Sequence, residues 1–276
     1  MQNTNPLNKY FRQPKIYLSL PSGGNFYPPG MLQGDPSKLP VFGMSAMDEI
    51  MFKTPDALFS GEATAEVIKS CIPTITSPMH IPSLDIDSIL IAIRMATYGQ
   101  MLPSSFTCTS CKEKNTFDLD LTKALDYFNN IEYIDSLIVG PLKVNFRPLT
   151  YKEITTMSLK IYELRRKLSQ STKGKSEEET TKFVSKTLKE ITQVQIKTFL
   201  AGISSVETDE DTVEDPKFIE EWLEQSDKEF YDKIKKHLEE QNAIWKIQPQ
   251  RVQCAECEAE NNVEIKLDNS DFFVRG

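Results

Sequence analysis

The chain has 276 residues, 39% of them hydrophobic and 26% charged, enough apolar content for one or two domains with a sizeable core. Its formal net charge of −8 speaks against non-specific binding to DNA or RNA. The longest apolar run, Ile89 to Ile93, is far too short to span a bilayer.

Residues 1–13 are polar, with no apolar core of a signal peptide, which predicts folding in a reducing cytoplasm where disulfides are rare. Residues 1–43 carry much of the proline and glycine. Ile16 to Leu20 reads as one short strand and Pro21-Ser22-Gly23-Gly24 as a turn. The expectation is an extended N-terminal arm that cannot form a core alone and lies along this chain or a neighbour. Gly23-Gly24 is not a phosphate loop, since no Lys-Ser/Thr follows and no helix begins there.

A helical block is expected over 44–104. Ser45-Ala46-Met47-Asp48 resembles a capping box, Thr54-Pro55 offers an N-cap with a first-turn proline, and Gly61 a stop. Ala63 to Ile72 reads as a helix ended by Pro73. Asp85 to Tyr98 follows, with Asp85 and Asp87 in its first turn and Gly99 just past its end. Ile86, Ile89, Leu90, Ile91, Ile93 and Met95 surround most of that helix, predicting the most buried element of the protein. Cys71, between Ile68 and Ile72, reads as a small buried hydrophobe.

Next comes a phrase that the chain uses twice. Phe106-Thr107-Cys108-Thr109-Ser110-Cys111 and Val252-Gln253-Cys254-Ala255-Glu256-Cys257 are each followed by Asn (Asn115, Asn261) seven residues after the first Cys, then by an alternating strand ending on Leu. Four thiolates on two matched hairpins are what a tetrahedral structural Zn2+ site requires, so Cys108, Cys111, Cys254 and Cys257 are the candidate ligands. The 142 residues between Cys111 and Cys254 far exceed the usual gap. Loop closure grows only as the logarithm of length, so the excess costs about 2 kcal/mol, against roughly 10–16 kcal/mol for zinc binding. The metal wins, and the residues between the repeats become an insertion.

Disulfides, bare thiols and redox activity are the rival readings of the cysteines. A redox motif sits where a strand meets a helix start, whereas both motifs here lead into strands. Lys112 and Glu258 occupy the position where zinc knuckles favour Gly. Catalytic zinc keeps one position open and often uses His; the chain's two histidines, His80 and His237, are not beside a Cys. Zinc and iron are both compatible with four thiolates.

Val139 to Leu149, with Leu142, Val144 and Phe146 alternating, reads as a further strand. It joins 105–149 and 250–270 in a zinc-ribbon-like β module. Thr150-Tyr151-Lys152-Glu153 caps a helix whose seam is Ile154, Met157, Ile161, Leu164 and Leu168. Ser171 to Lys175 turns, and Ser176-Glu177-Glu178-Glu179 caps a return helix with a stripe of Val184, Leu188, Ile191, Val194 or Gln195, and Phe199. Residues 204–214 read as a solvated loop. Asp215-Pro216 starts a third helix, and Ser226-Asp227-Lys228-Glu229 caps a fourth, through about Glu240. Residues 150–249 thus form an inserted helical hairpin with return helices, and 271–276 a C-terminal tail. The expected fold class is α+β, mainly α.

The sequence has no Ser-His-Asp arrangement, nucleotide fingerprint, His-Glu-x-x-His or kinase signature, so no enzyme is expected. Arg94 and Arg147, amid apolar residues, are each an internal ion pair or an anchor for a partner carboxylate. The six Lys/Arg of 160–175 read as surface helix charges.

Five stretches, in order, also resemble a known family: Leu20-Pro21-Ser22-Gly23-Gly24-Asn25-Phe26-Tyr27-Pro28, Met44-Ser45-Ala46-Met47-Asp48-Glu49, Leu58-Phe59-Ser60-Gly61, Val67-Ile68-Lys69-Ser70-Cys71-Ile72, and Ile89 through Arg94 to Gly99. They are similar to the baseplate proteins of T-even-like contractile-tailed bacteriophages. The match covers about a third of the chain well and reaches through the first Cys motif; the helical insertion has no such match. The resemblance implies a non-enzymatic structural component of the baseplate hub, binding other baseplate hub and tail proteins and the tape-measure protein in a symmetric multi-copy assembly. Its location would be the host cytoplasm during assembly and the virion tail baseplate if retained. The alternative it implies is a transient hub or tape-measure assembly chaperone, absent from the mature virion, acting through the 150–200 hairpin. A nucleic-acid-binding zinc protein would need a basic face around the motifs. Glu113, Asp118, Asp120, Glu256, Glu258, Glu260 and Glu264 make that region acidic.

Overall fold

Pairing of Ile16–Leu18 (β1) with Leu39–Val41 (β2) joins the two ends of the proline-rich N-terminal segment, with Ile16 opposite Val41 and Leu18 opposite Leu39. The computed structural model describes residues 6–52, 61–170 and 177–265. Two units share the chain: Met1–Leu58, Glu62–Ile131 and Lys246–Gly276 form the first, Phe59–Gly61 and Glu132–Trp245 the second.

In the first unit, the expected arm lies along its own chain. Leu18, Leu20, Leu39 and Val41 are buried, and the hairpin packs on the helix Ser83–Tyr98. The Phe42 N–H donates to the Cys71 carbonyl, that of Gln33 to Thr74, and that of Thr76 to Met31. Arg12 fastens the start of the segment, donating to the carbonyls of Gly43 (2.6 Å) and Ser70 (2.8 Å) and pairing with Asp48 (3.2 Å). Ahead of Arg12, the 3-10 turn Pro6–Tyr10 precedes an exposed Phe11. Three helices complete this part: Ala46–Phe52 (α1), Glu62–Cys71 (α2) and Ser83–Tyr98 (α3). Ile89, Ile91, Ala92 and Ile93 of α3 are fully buried, as its all-round apolar pattern predicts. The Ser45 box forms at α1: the Asp48 N–H donates to Ser45 Oγ, and the Ser45 N–H to Asp48 Oδ2.

Met101–Thr107 (β3) pairs with Lys114–Asp120 (β4), and a helix follows at Leu121–Asn129 (α4). That helix goes beyond the sequence reading, which ran the strand to Leu121. Asp120 caps it by accepting from the Thr122 N–H, and Leu121, Ala124 and Phe128 bury its inner face.

The second unit corrects the reading of an all-helical insertion. It contains an antiparallel sheet in the order β5-β6-β7-β8, from Ser136–Val139, Leu142–Phe146, Ile203–Glu207 and Thr212–Val213. The expected strand 139–149 is therefore a hairpin with Gly140 (φ 61°) in its turn. It pairs with β7, not with the cysteine hairpins, so the unit begins near 132 rather than 150. The expected loop 204–214 is two strands around a short turn. A register shift at Asn145/Phe146 puts Ile203 opposite Phe146 and Ser205 opposite Asn145. The buried residues of β7, Ile203 and Val206, are three apart, which hides the period of two by which a strand is recognised.

The unit's helices are Tyr151–Gln170 (α5), which packs on Glu177–Ala201 (α6), then Pro216–Gln225 (α7) and Lys228–Ile244 (α8). Val139, Val144, Phe146, Ile203, Val206, Ile219 and Ile234 form the core, flanked by Tyr133, Trp222, Phe230 and Leu238. The Thr150 box caps α5: the Glu153 N–H donates to Thr150 Oγ1, and the Thr150 N–H to Glu153 Oε2. Asp215 caps α7 as expected, with Pro216 in the first turn. Asp227, not Ser226, holds the cap position of α8; Ser226 Oγ instead donates back to the Leu223 carbonyl. The fold class is α+β, with eight α-helices and small antiparallel sheets among the described residues. Thr54-Pro55, Leu58-Phe59-Ser60, the 171–175 turn, Ser176 and the tail 271–276 lie outside the described residues.

Candidate metal centre

Each Cys-x-x-Cys occupies the six-residue tip of a hairpin. Thr107 pairs with Lys114 across the first tip. In the second hairpin, Gln250–Gln253 (β9) pairs with Glu260–Val263 (β10), and Gln253 faces Glu260 across the tip. The sequence repeat is thus also a repeat of register: Phe106 faces Asn115 and Val252 faces Asn261.

Inside each tip the backbone folds back identically. The Cys108 N–H donates to the Glu113 carbonyl and the Lys112 N–H to the Cys108 carbonyl; Cys254 with Ala259, and Glu258 with Cys254, repeat the pair. Lys112 (φ 66°) and Glu258 (φ 56°) adopt the left-handed conformation that most residues avoid. The departure from Gly noted in the sequence therefore leaves the knuckle geometry intact and places backbone strain at those two residues.

All four candidate ligands come together. The sulfurs of Cys108, Cys111, Cys254 and Cys257 lie within 4.8 Å of one another, and none is disulfide-bonded. Cys108 Sγ is 3.7 Å from Cys257 Sγ and Cys111 Sγ is 3.6 Å from Cys254 Sγ. A tetrahedron with metal–sulfur bonds of about 2.3 Å has edges of about 3.8 Å, so the arrangement fits one ion. The first cysteine of each motif is buried and the second exposed.

The electrostatics separate the ligands. The Cys111 N–H, then the Ser110 N–H and the Asn261 amide, pull the Cys108 thiol down to about 6 against its burial. Burial opposes ionisation of Cys254, but the N–H groups of Cys257 and Glu256 and the Asn115 amide hold it below the ordinary thiol range. A Glu113 N–H favours the Cys111 thiolate, but burial and the neighbouring sulfurs push that thiol up to about 12. Without a cation the cluster keeps protons; a bound divalent ion would displace them.

Two asparagines to which sequence reasoning gave no role also bear on the cluster. Their signal was their fixed place in the repeat. Both are buried, and each reaches into the opposite knuckle. Asn115 Nδ2 donates to Cys254 Sγ (3.3 Å), and its Oδ1 accepts from the Ala255 N–H (2.8 Å). Asn261 Nδ2 donates to Cys108 Sγ (3.5 Å), and its Oδ1 accepts from the Thr109 N–H (2.8 Å) and hydroxyl (3.0 Å).

Other singled-out residues have local roles. Arg147 makes a two-pronged ion pair with Glu153, at 3.0 and 2.7 Å. The Arg94 guanidinium is buried and sits 5.0 Å from the Tyr98 ring centroid. His80 bonds Ser77, while His237 bonds the Ile134 carbonyl and stacks on Phe146. Cys71 is fully buried, and burial raises its thiol to about 12, which keeps it protonated.

Comparison with known proteins gives one family. The model of the family described as T4 bacteriophage base plate protein matches residues 43–274, most of the chain and including both cysteine motifs and the whole second unit. No curated protein and no solved structure matches.

Proposed function

Because the chain belongs to the T4 bacteriophage base plate protein family, we propose that it is a non-enzymatic structural subunit of the hub region of a contractile-tail baseplate. Membership, spanning residues 43–274, is the observation that carries this reading. A baseplate protein associates with other baseplate components in the virion tail. Among the described residues no helix is long and apolar enough to cross a membrane, which accords with that location.

The ion in the cysteine cluster is, on this reading, Zn2+ in a closed structural site held by Cys108, Cys111, Cys254 and Cys257. All four positions being thiolates leaves none open for a substrate. The zinc supplies folding energy and no reaction. Neighbouring hub and tail proteins, including the helical tape-measure protein, would engage the α5–α6 hairpin, where Tyr162, Leu188 and Ile196 are exposed large apolar side chains.

Quantitative mass spectrometry of purified virions tests the assignment. A stoichiometric, fixed copy number per tail supports a retained subunit. Absence from virions, with the chain bound to hub intermediates in infected cells, identifies a transient assembly chaperone instead. Free monomer alone in both samples overturns the proposal.

A further inference from the structure

We propose that Asn115 and Asn261 are positioning residues of the metal centre, each holding the first thiolate of the opposite knuckle and setting how tightly the ion is retained. This rests on the reading of the four cysteines as metal ligands. Three features carry it.

The first is reciprocity. Each asparagine uses its amide fully: Nδ2 donates to its own loop, at Glu113 O (3.1 Å) or Ala259 O (2.9 Å), and also to the opposite sulfur. Oδ1 then accepts the backbone N–H of the residue just after that cysteine. Own-loop bonds alone would order a knuckle; the crossed bonds fix one knuckle on the other. The second is charge. Four thiolates around a divalent ion carry a net −2, and the flanking Glu113, Glu256, Glu258 and Glu260 outnumber the flanking Lys112 and Lys114. Donors to sulfur are then what stabilises the anionic centre. The third is selectivity. The asparagines serve Cys108 and Cys254, the two buried ligands farthest from compensating water.

The test uses the full chain with Asn115→Asp and Asn261→Asp, separately and together. Aspartate keeps the size and the accepting oxygen but removes the N–H donor to sulfur. Co(II) serves as the spectroscopic probe, and a chromophoric chelator reads the rate of zinc release. The wild type is expected to bind one Co(II) with a thiolate charge-transfer band. Each variant should still bind one, with the band at longer wavelength and metal release 10–100-fold faster. The double variant should be faster still. Thr116→Val changes an exposed side chain of β4 outside the cysteine knuckles and should release zinc at the wild-type rate. Wild-type release from both Asp variants, or equally fast release from Thr116→Val, overturns the inference. If one Asp variant does not fold, the other reads the same effect from the opposite knuckle. A wild type that binds no Co(II) removes the metal reading itself, a result distinct from unchanged release by the variants.

Discussion

Asp85 shows how one residue ties a loop to a helix and makes stability depend on pH. Its carboxylate, fully buried in the first turn of α3, accepts from the Ser22 N–H (2.8 Å), the Ser22 hydroxyl (2.6 Å) and the Tyr27 hydroxyl (2.9 Å). Burial pushes its carboxyl up to about 6, the three hydrogen bonds opposing. The native state therefore holds a proton that the unfolded chain, with a carboxyl near 3.9, has released. Stability tied to Asp85 should rise as pH falls from about 6 to about 4, by at most about 3 kcal/mol. Glu153 has the opposite sign. Although burial opposes it, the bonds from Arg147 and Thr150 hold it at about 2. Its contribution is present above the ordinary glutamate range and is lost as pH falls toward 2. Urea unfolding at half-unit pH steps should show Asp85→Asn flattening the curve between 4 and 6, and Glu153→Gln flattening it below. Lys112→Gly is a third residue-scale prediction. Glycine tolerates φ 66° freely, so the change should raise the unfolding free energy by roughly 0.5–1 kcal/mol, readable as a higher urea midpoint at unchanged slope.

Ile234 of α8 is fully buried in the sheet's core. Ile234→Ala should cost about 2–5 kcal/mol by the same unfolding assay. Leu188, half-exposed on α6, should tolerate Glu within about 0.5 kcal/mol. Elements with strong periodicity and caps were legible in the sequence: α2 and α3 within two residues of their expected limits, and α5 from its Thr150–Glu153 box. The cysteine hairpins were legible because the repeat carried both ligands and register. The sheet of the second unit was not. Its strands are two to five residues long, and β7 is bulged. Its partners β6 and β7 are separated by the whole α5–α6 hairpin, a pairing that no local pattern announces. Helix α4 escaped for a related reason: Asp120 ends a strand and caps a helix at once, so the change of period falls inside an apparently continuous run. The asparagine contacts were invisible because they cross 139 and 153 residues of chain.

For the whole molecule, the second unit is an insertion with its own core. The irregular segments leading into and out of it are held near each other at both ends: the Gln248 amide donates to the Tyr127 hydroxyl within the first unit, and the Ile134 N–H donates to Gln241 Oε1 within the second. Ends that lie close together favour independent folding. Residues 132–245 expressed alone should therefore unfold cooperatively, with a melting temperature indifferent to chelator. In the full chain, a strong chelator should abolish or sharply lower the transition of the first unit and leave that of the second in place, as two-step calorimetry would show. A single transition lowered as a whole by chelation would mean that the units do not unfold separately.

The distance between the two cysteine motifs also has a meaning in time. During synthesis at roughly 5–20 residues per second, the interval between Cys111 and Cys257 is about 7–30 s. Through that interval the nascent first unit carries only two of the four candidate ligand sulfurs, while the strands, helices and core of the second are made. The closing hairpin arrives last, so a ribosome that stops anywhere within the insertion releases a chain that cannot complete the centre. On the reading of the cluster as a metal site, only a chain read through to the second motif can close around the ion.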